Sequence, residues 1–183
     1  MRVVLPRLAQ RNFHVFYFLL AGVDNTTRSK LFLTNPTEYS YLTCSEVPSI
    51  DDQDEFRAME KAFTTLGFSS NELYDIYSIL ATILHLGNIS FEQIGDNYNS
   101  SKISKKASGD LKKASKAFRL NHFDIEAALT SKTSAAGTTG KGQEVSFTQP
   151  DVRIHSAARA LHLALSDIAN PNIIVARSSS LQN

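Results

Sequence analysis

The stretch from Asp51 to Phe91, DDQDEFRAMEKAFTTLGFSSNELYDIYSILATILHLGNISF, leaves this chain little freedom in how it can fold. It predicts two capped amphipathic helices, joined by a short turn and running out into a strand. The first helix starts at Asp51 or Asp52, with Glu55 as its capping-box partner. Phe56, Met59, Phe63 and Leu66 recur at helical spacing as its buried stripe, and Gly67 ends it. Ser69 to Glu72 spells a second capping box. Leu73, Ile76, Tyr77, Leu80, Ile83 and Leu84 carry the next stripe through about three turns. Gly87 then stops that helix, and Ile89-Ser90-Phe91 alternates as a strand does.

The flanking sequence continues the helical pattern with weaker signals. Pro6 keeps residues 1–10 from being helix interior. Asn12 caps a helix whose Phe13, Phe16, Tyr17 and Leu20 share one face, and Gly22 fits its stop. A short helix is expected from Asn25 to Leu31. Asn35-Pro36 and Pro48 then punctuate loops. Residues 95–108, rich in Asn, Ser and Lys, read as an exposed loop. Ser108 caps a helix carrying Leu111, Ala114 and Phe118. Asn121, with Asp124 three on, caps another carrying Ile125 and Leu129. Gly137, Gly140 and Gly142 mark a flexible loop or a loose hairpin ahead of Val145 and Phe147. Ile154, Ala157, Ala158, Leu161 and Leu165 fit a last helix, stopped at Asn170-Pro171. The fold class is mainly α with short strand or hairpin elements, over residues 1–170; residues 171–183 read as a disordered tail.

A chain of 183 residues with 42% hydrophobic and 20% charged residues can bury a core of its own. Its single cysteine, Cys44, excludes an internal disulfide and suggests a reducing compartment. No motif surrounds Cys44, which reads as a small half-buried residue. The longest apolar run, Val15 to Val23, is too short to span a bilayer, and the N-terminus is not a signal peptide. The net charge of +1 hides an asymmetry: seven Lys/Arg stand against twelve Asp/Glu in residues 1–101, and twelve against six in residues 102–183. The basic half fits an acidic partner, or a solvated lysine-rich loop.

Chemistry-bearing motifs are sparse. Gly137-Thr138-Thr139-Gly140-Lys141-Gly142 has the Gly-Lys pair of a phosphate loop, but the wrong glycine spacing and Gly142 in place of Ser/Thr. His14, His85, His122, His155 and His162 form no H-E-x-x-H, and no cysteines stand at zinc spacing. His14 and His85, inside helical runs, read as satisfied core or boundary histidines. Asp51, Asp52, Asp54 and Glu55 read as carboxylates at a helix N-terminus rather than as metal ligands. No nucleophile–base pair can be argued.

Several blocks resemble the myosin motor head, in that family's order. Arg2-Val3-Val4 and RNFHVFYFLLAG (Arg11 to Gly22) are similar to its R-V-V and R-N-[FY]-H-[IV]-F-Y-x-L-L-x-G. Leu33-Thr34-Asn35-Pro36 with Tyr39-Ser40-Tyr41-Leu42 is similar to L-x-[DN]-P…Y-x-Y-L. AFTTLGFS (Ala62 to Ser69) and ILATILHLGNISF (Ile79 to Phe91) follow its A-[FM]-x-x-[LI]-G-[FI]-[ST] and I-L-A-x-[IV]-L-H-L-G-N-[IV]-x-F. Ala128-Leu129-Thr130-Ser131-Lys132 is similar to its A-L-[CT]-x-[RK]. The resemblance is dense over residues 2–132 and thin beyond.

The resemblance implies a helical segment from the upper half of the motor's central domain, in a head related to phosphate-loop NTPases and of an unconventional myosin. A complete head would use ATP and Mg to move along actin filaments in the cytoplasm. The family's phosphate loop and both switches are missing from this sequence. Asn97 to Lys102 echoes switch one, but it lies downstream of the L-H-L-G-N block, without the F-G-K-F that should follow. This chain alone is therefore expected to bind no cofactor and hydrolyse no ATP. Its expected partners are actin and the rest of the head, with no nucleic acid and no membrane insertion. The resemblance also implies that the loop from Lys132 to Phe147 reaches actin, with Lys132, Thr138, Thr139 and Lys141 as contacts. An ungapped alignment puts Thr139 at the position of a phosphorylatable switch; it reads equally as an ordinary loop threonine. IHSAARALHLALSDI departs from the family's D-A-L-A-K run, so the last helix is not anchored by it. A stand-alone actin-binding module and a non-functional truncated product are the rival readings.

Overall fold

The computed structural model describes residues 11, 13–42, 47–94, 97–135 and 142–146. Six helices and two hairpins follow in order: α1 (His14–Gly22), α2 (Asn25–Lys30), α3 (Asp52–Thr65), α4 (Ser70–Gly87), β1 (Phe91–Ile94), β2 (Asn97–Ile103), α5 (Ser108–Phe118), α6 (His122–Thr130), β3 (Ser131–Ala135) and β4 (Gly142–Ser146). The mainly α expectation holds, and the starts of α2, α3 and α4 follow from side-chain caps. Hydrogen bonds from the Thr27 side chain and then its amide hold the Asp24 carboxyl below the usual carboxylate pKa, and as the cap of α2 Asp24 accepts from the Thr26 and Thr27 amides. At α3 the Asp51 carboxylate accepts from the Gln53 and Asp54 amides, so the third helical position there is Asp54 and the expected reciprocal partner Glu55 is not one. Ser69 and Glu72 form the full capping box: Glu72 accepts from the Ser69 amide at 2.8 Å, and Ser69 Oγ accepts from the Glu72 amide.

The α3–α4 turn is closed by hydrogen bonds from Gly67 to Thr64 and from Phe68 to Phe63, with Gly67 at φ +81° and the two phenylalanine rings packed edge-on at 5.0 Å. Gly22 serves another purpose. It keeps helical geometry at the α1 end, and a Cβ there would overlap the Phe56 ring. Its missing side chain lets α1 and α3 touch. Bidentate bonds from Arg11, just ahead of α1, to Asp52 of α3, both 2.7 Å, tie the segment entering α1 to α3, with the guanidinium 4.2 Å above the Tyr17 ring.

Two apolar clusters result. The first joins Phe16, Tyr17, Leu19 and Leu20 of α1 to Leu31, Leu33, Tyr39, Phe56, Tyr77, Ala81 and Leu84. The second joins Phe91, Ile103, Ala107, Leu111, Ile125 and Leu129. Helix α5 packs along α4 and serves both, since Ala117 belongs to the first cluster and Leu111 to the second.

Four expectations are corrected. Residues 95–108 are not simply an exposed loop: β2 pairs antiparallel with β1, Phe91 opposite Ile103 and Glu92 opposite Lys102. The stripe of α3 is shallower than its spacing suggests, because Leu66 caps the helix at 70% exposure. Ser108 does not cap α5; Ser104 caps a short 3₁₀ turn, Lys105–Ala107, that leads into it. Phe13 and His14, read as part of the apolar face and as a core or boundary histidine, are both exposed at the start of α1. Asn12, Cys44, the helix expected from Ile154 and the tail from 171 lie outside the described residues.

Candidate functional site

The C-terminal turn of α4, His85-Leu86-Gly87-Asn88, is a set of staples. His85 is 1% exposed, and its Nε2–H donates to the Leu31 carbonyl at 2.9 Å. Its Nδ1 is buried without a partner among the described residues, so the histidine expected to be satisfied is satisfied at one nitrogen only. Burial pushes its pKa below the usual histidine value, against a smaller upward pull from the Leu31 carbonyl. Asn88 donates from Nδ2 to the Glu38 carbonyl and accepts at Oδ1 from the Ser40 amide, at 2.9 and 2.8 Å. A Cβ on Gly87 would stand 3.2 Å from that of Tyr41. These side chains fix the loop after α2 against α4.

From that anchored point the chain enters the first hairpin. The Ser104 amide donates to the Ser90 carbonyl at 2.8 Å, and the two hydroxyls meet at 2.6 Å, closing its base. Lys102 and Glu92 pair across it at 3.3 Å. The second hairpin follows α6 without a linker, Ser131 opposite Ser146 and Ala135 opposite Gly142. Ile125 and Leu129 seat α6 in the second cluster. Helix α6 packs on β2 and β3, and β4 lies near β2, so the two hairpins are neighbours.

Of the residues singled out in the sequence, Lys132 lies on β3 opposite Val145. Thr138, Thr139 and Lys141 lie outside the described residues, and in sequence they fall between β3 and β4. The hairpin alternative for residues 130–148 is the one realised over the described part. The first hairpin was missed, because its β2 strand, NYNSSKI, is polar until Ile103.

Asn97 to Lys102, the echo of switch one, is a paired strand, and its lysine is bound to Glu92. The described residues hold no group of three His, Cys, Asp or Glu able to hold a metal. No helix among them is long and apolar enough to cross a membrane.

The myosin head (motor domain) family matches residues 1–174. The chain belongs to the myosin motor-head family. Unconventional myosin IC of Drosophila melanogaster is 39% identical over 137 residues, 72% of this chain and 13% of that protein. Unconventional myosin-Ic of Mus musculus is 35% identical over 148 residues, 79% of the chain and 13% of the protein. Myosin-K heavy chain of Dictyostelium discoideum is 43% identical over 94 residues, half of the chain and 11% of the protein. The chain thus spans well under a fifth of these myosins and corresponds to a section of the motor domain. The residues carrying the family pattern through its H-L-G-N block are the staples His85, Gly87 and Asn88. Their chemistry in this myosin segment is structural.

Proposed function

We propose that this chain is a scaffold and filament-facing section of an actin motor whose ATP- and Mg-binding parts lie in other segments of the complete protein. The observation that carries the reading is the match to the motor domain over residues 1–174. In the complete motor, ATP turnover would change actin affinity through movement of the halves of its central domain. The section's part is to hold the second hairpin against α6 and the first hairpin. Lys132 and Lys141 would supply positive charge to an acidic filament, and Thr138 or Thr139 would take a phosphate that changes that charge. The cell compartment is the actin cytoskeleton of the cytoplasm. Alone, the chain turns over no ATP, since the residues that cradle phosphate are missing.

The test is co-sedimentation with actin of the motor that carries this section, native and with Lys132→Ala/Lys141→Ala. The native protein should bind with affinity falling as salt rises, and the variant several-fold more weakly. Equal binding of the two would overturn the assignment of the hairpin. Thr139→Glu against Thr139→Ala should separate actin-activated turnover, and identical rates would remove the switch. Magnesium-dependent ATP turnover by the purified 183-residue chain would refute its nucleotide-free character.

A further inference from the structure

The loop after α2, residues 31–40, is held in place by side chains. Helix α2 ends in a Schellman turn. Phe32 takes the left-handed conformation there, φ +55°; its amide donates to the Ser29 carbonyl, and the Leu33 amide donates to the Arg28 carbonyl. That conformation suits glycine, and a phenylalanine held in it is strained. The neighbouring Leu31 carbonyl takes its hydrogen bond from His85 Nε2, 54 residues away in sequence. Farther along, the Thr34 amide donates to Tyr39 Oη, and Asn88 holds the Glu38 carbonyl and the Ser40 amide. His85 is the one of these three side chains that changes charge near neutral pH.

Because Nε2–H donates to Leu31, Nδ1 carries the lone pair of the neutral ring. This nitrogen is buried and has no partner among the described residues. A proton added there would place a cation and an unpaired N–H in the core. The charged groups around it do not offset that cost. On α5, Lys113 opposes the charge more than Asp110 favours it, and those two pair with each other at 3.1 Å. Lys116, also on α5, lies over the Phe32 ring. On α2, Arg28 donates to the Leu20 carbonyl. The loop brings the Tyr39 ring to 5.8 Å from the imidazole, while Glu38 is exposed. Helix α1 carries no charged or titratable group near it, since His14 stands at the exposed start and Tyr17 is a phenol. The closed loop therefore binds the proton poorly, and an opening that lets His85 reach water binds it better. Opening also lets Phe32 leave the left-handed region, which makes this segment the one that yields.

We propose that His85 is an acid-released latch: at neutral pH its uncharged ring holds the Leu31 carbonyl and keeps residues 31–40 closed, and protonation at Nδ1 opens that loop while the helices stay folded. In the open loop the imidazole has its ordinary pKa of 6.5, and in the closed one burial holds it lower. The closed form prevails above 6.5, and the open population grows as pH falls below it, until the closed value is passed. The latch lies inside this chain, so it stands whether or not the second hairpin meets actin.

The test is amide hydrogen exchange, followed by NMR on the whole 183-residue chain and corrected for its intrinsic pH dependence, at pH 7.5 and 5.5. Protection of the Leu33, Thr34 and Ser40 amides should fall about tenfold, the most that a group of open-state pKa 6.5 gives one unit below it, while Ala81 and Leu84 of α4 keep theirs. The His85 ring protons should titrate with the same midpoint as the loop amides. In His85→Gln, whose side-chain N–H still reaches toward the Leu31 carbonyl, loop protection should be equal at the two pH values. Loop protection that does not change with pH in the native chain overturns the proposal, as does an equal loss in the loop and in α4, which would be global unfolding. An undiminished drop in His85→Gln would assign the opening to another group. If that variant misfolds, the native chain decides alone: a loop transition that does not track the His85 ring sinks the latch.

Discussion

Single residues in this chain act through what they exclude as much as through what they touch. Gly22 is the clearest case, since any side chain there meets the Phe56 ring. Gly22→Ala should lower stability by about 1–3 kcal/mol, the usual cost of overpacking, and Gly22→Ala/Phe56→Leu should recover part of it. Urea denaturation reads both, and an unchanged midpoint in the single variant would show that α1 and α3 can separate freely. Arg119 makes the opposite case. A non-glycine residue at positive φ carries strain, and its contact with Asp75 is long and exposed. Arg119→Gly should therefore raise stability by about 1 kcal/mol. His85 adds a pH dependence. Above its ordinary pKa of 6.5 the folded and unfolded chains both hold it neutral, and its contribution is complete. As pH falls through 6.5 the unfolded chain takes the proton first, because burial keeps the folded value lower; stability then declines until that lower value is passed. Lys113 of α5 opposes the charged form and Asp110 favours it less strongly. Denaturation midpoints compared between pH 7.5 and 5.5 should fall more for the native chain than for His85→Gln. Parallel slopes would assign the loss to other groups.

At the scale of elements, the capping boxes and apolar spacings were legible because helix signals are local. The Ser69–Glu72 box was readable as letters and forms as read. Ser69→Ala should cost about 1 kcal/mol, visible as a lower thermal midpoint with little change in cooperativity; no change would mean that α4 is held by packing alone. Burial was less legible than helicity. The spacing of Leu73, Ile76, Tyr77, Leu80, Ile83 and Leu84 marked a stripe, yet only Tyr77 and Leu84 of it are buried, and Ser78, Ala81, Thr82 and His85 complete the deepest face of α4. Ser78 and Thr82 reach burial by bonding to carbonyls one turn back, Tyr74 and Ser78. Polarity scoring cannot find that arrangement. The β2 strand escaped for a related reason. Asn97 to Ser101 carry no alternation, and pairing there depends on a register set elsewhere, by Phe91 opposite Ile103 and by the Ser90–Ser104 closure. For the candidate site, Lys132 could be put on a strand by its position, whereas its role toward a partner came from the family pattern and not from spacing.

At the scale of the molecule, the question is what makes two apolar clusters behave as one. Tyr17, Tyr39 and Tyr77 belong to the α1–α4 cluster, whereas the first hairpin and α6 belong to the other. Leu86 and Ile89 pack against the second cluster from the end of α4, and Ala117 reaches the first from the end of α5. The α4–α5 contact is therefore the coupling element. It is built from small residues, with Ala81 and Ala114 fully buried, which brings the helices close. Cooperativity should follow from that closeness. In the native chain, tyrosine fluorescence and far-ultraviolet circular dichroism should report one coincident unfolding transition. Ala114→Leu forces extra volume into the contact, at a cost of about 1–3 kcal/mol. That cost falls on the coupling more than on either cluster, so the two signals should separate, with the hairpin end melting first because it has the smaller core. If the transitions stay coincident in Ala114→Leu, the clusters are joined through the stapled loop at His85 and Asn88 instead. Asn88→Ala should then be the substitution that splits them.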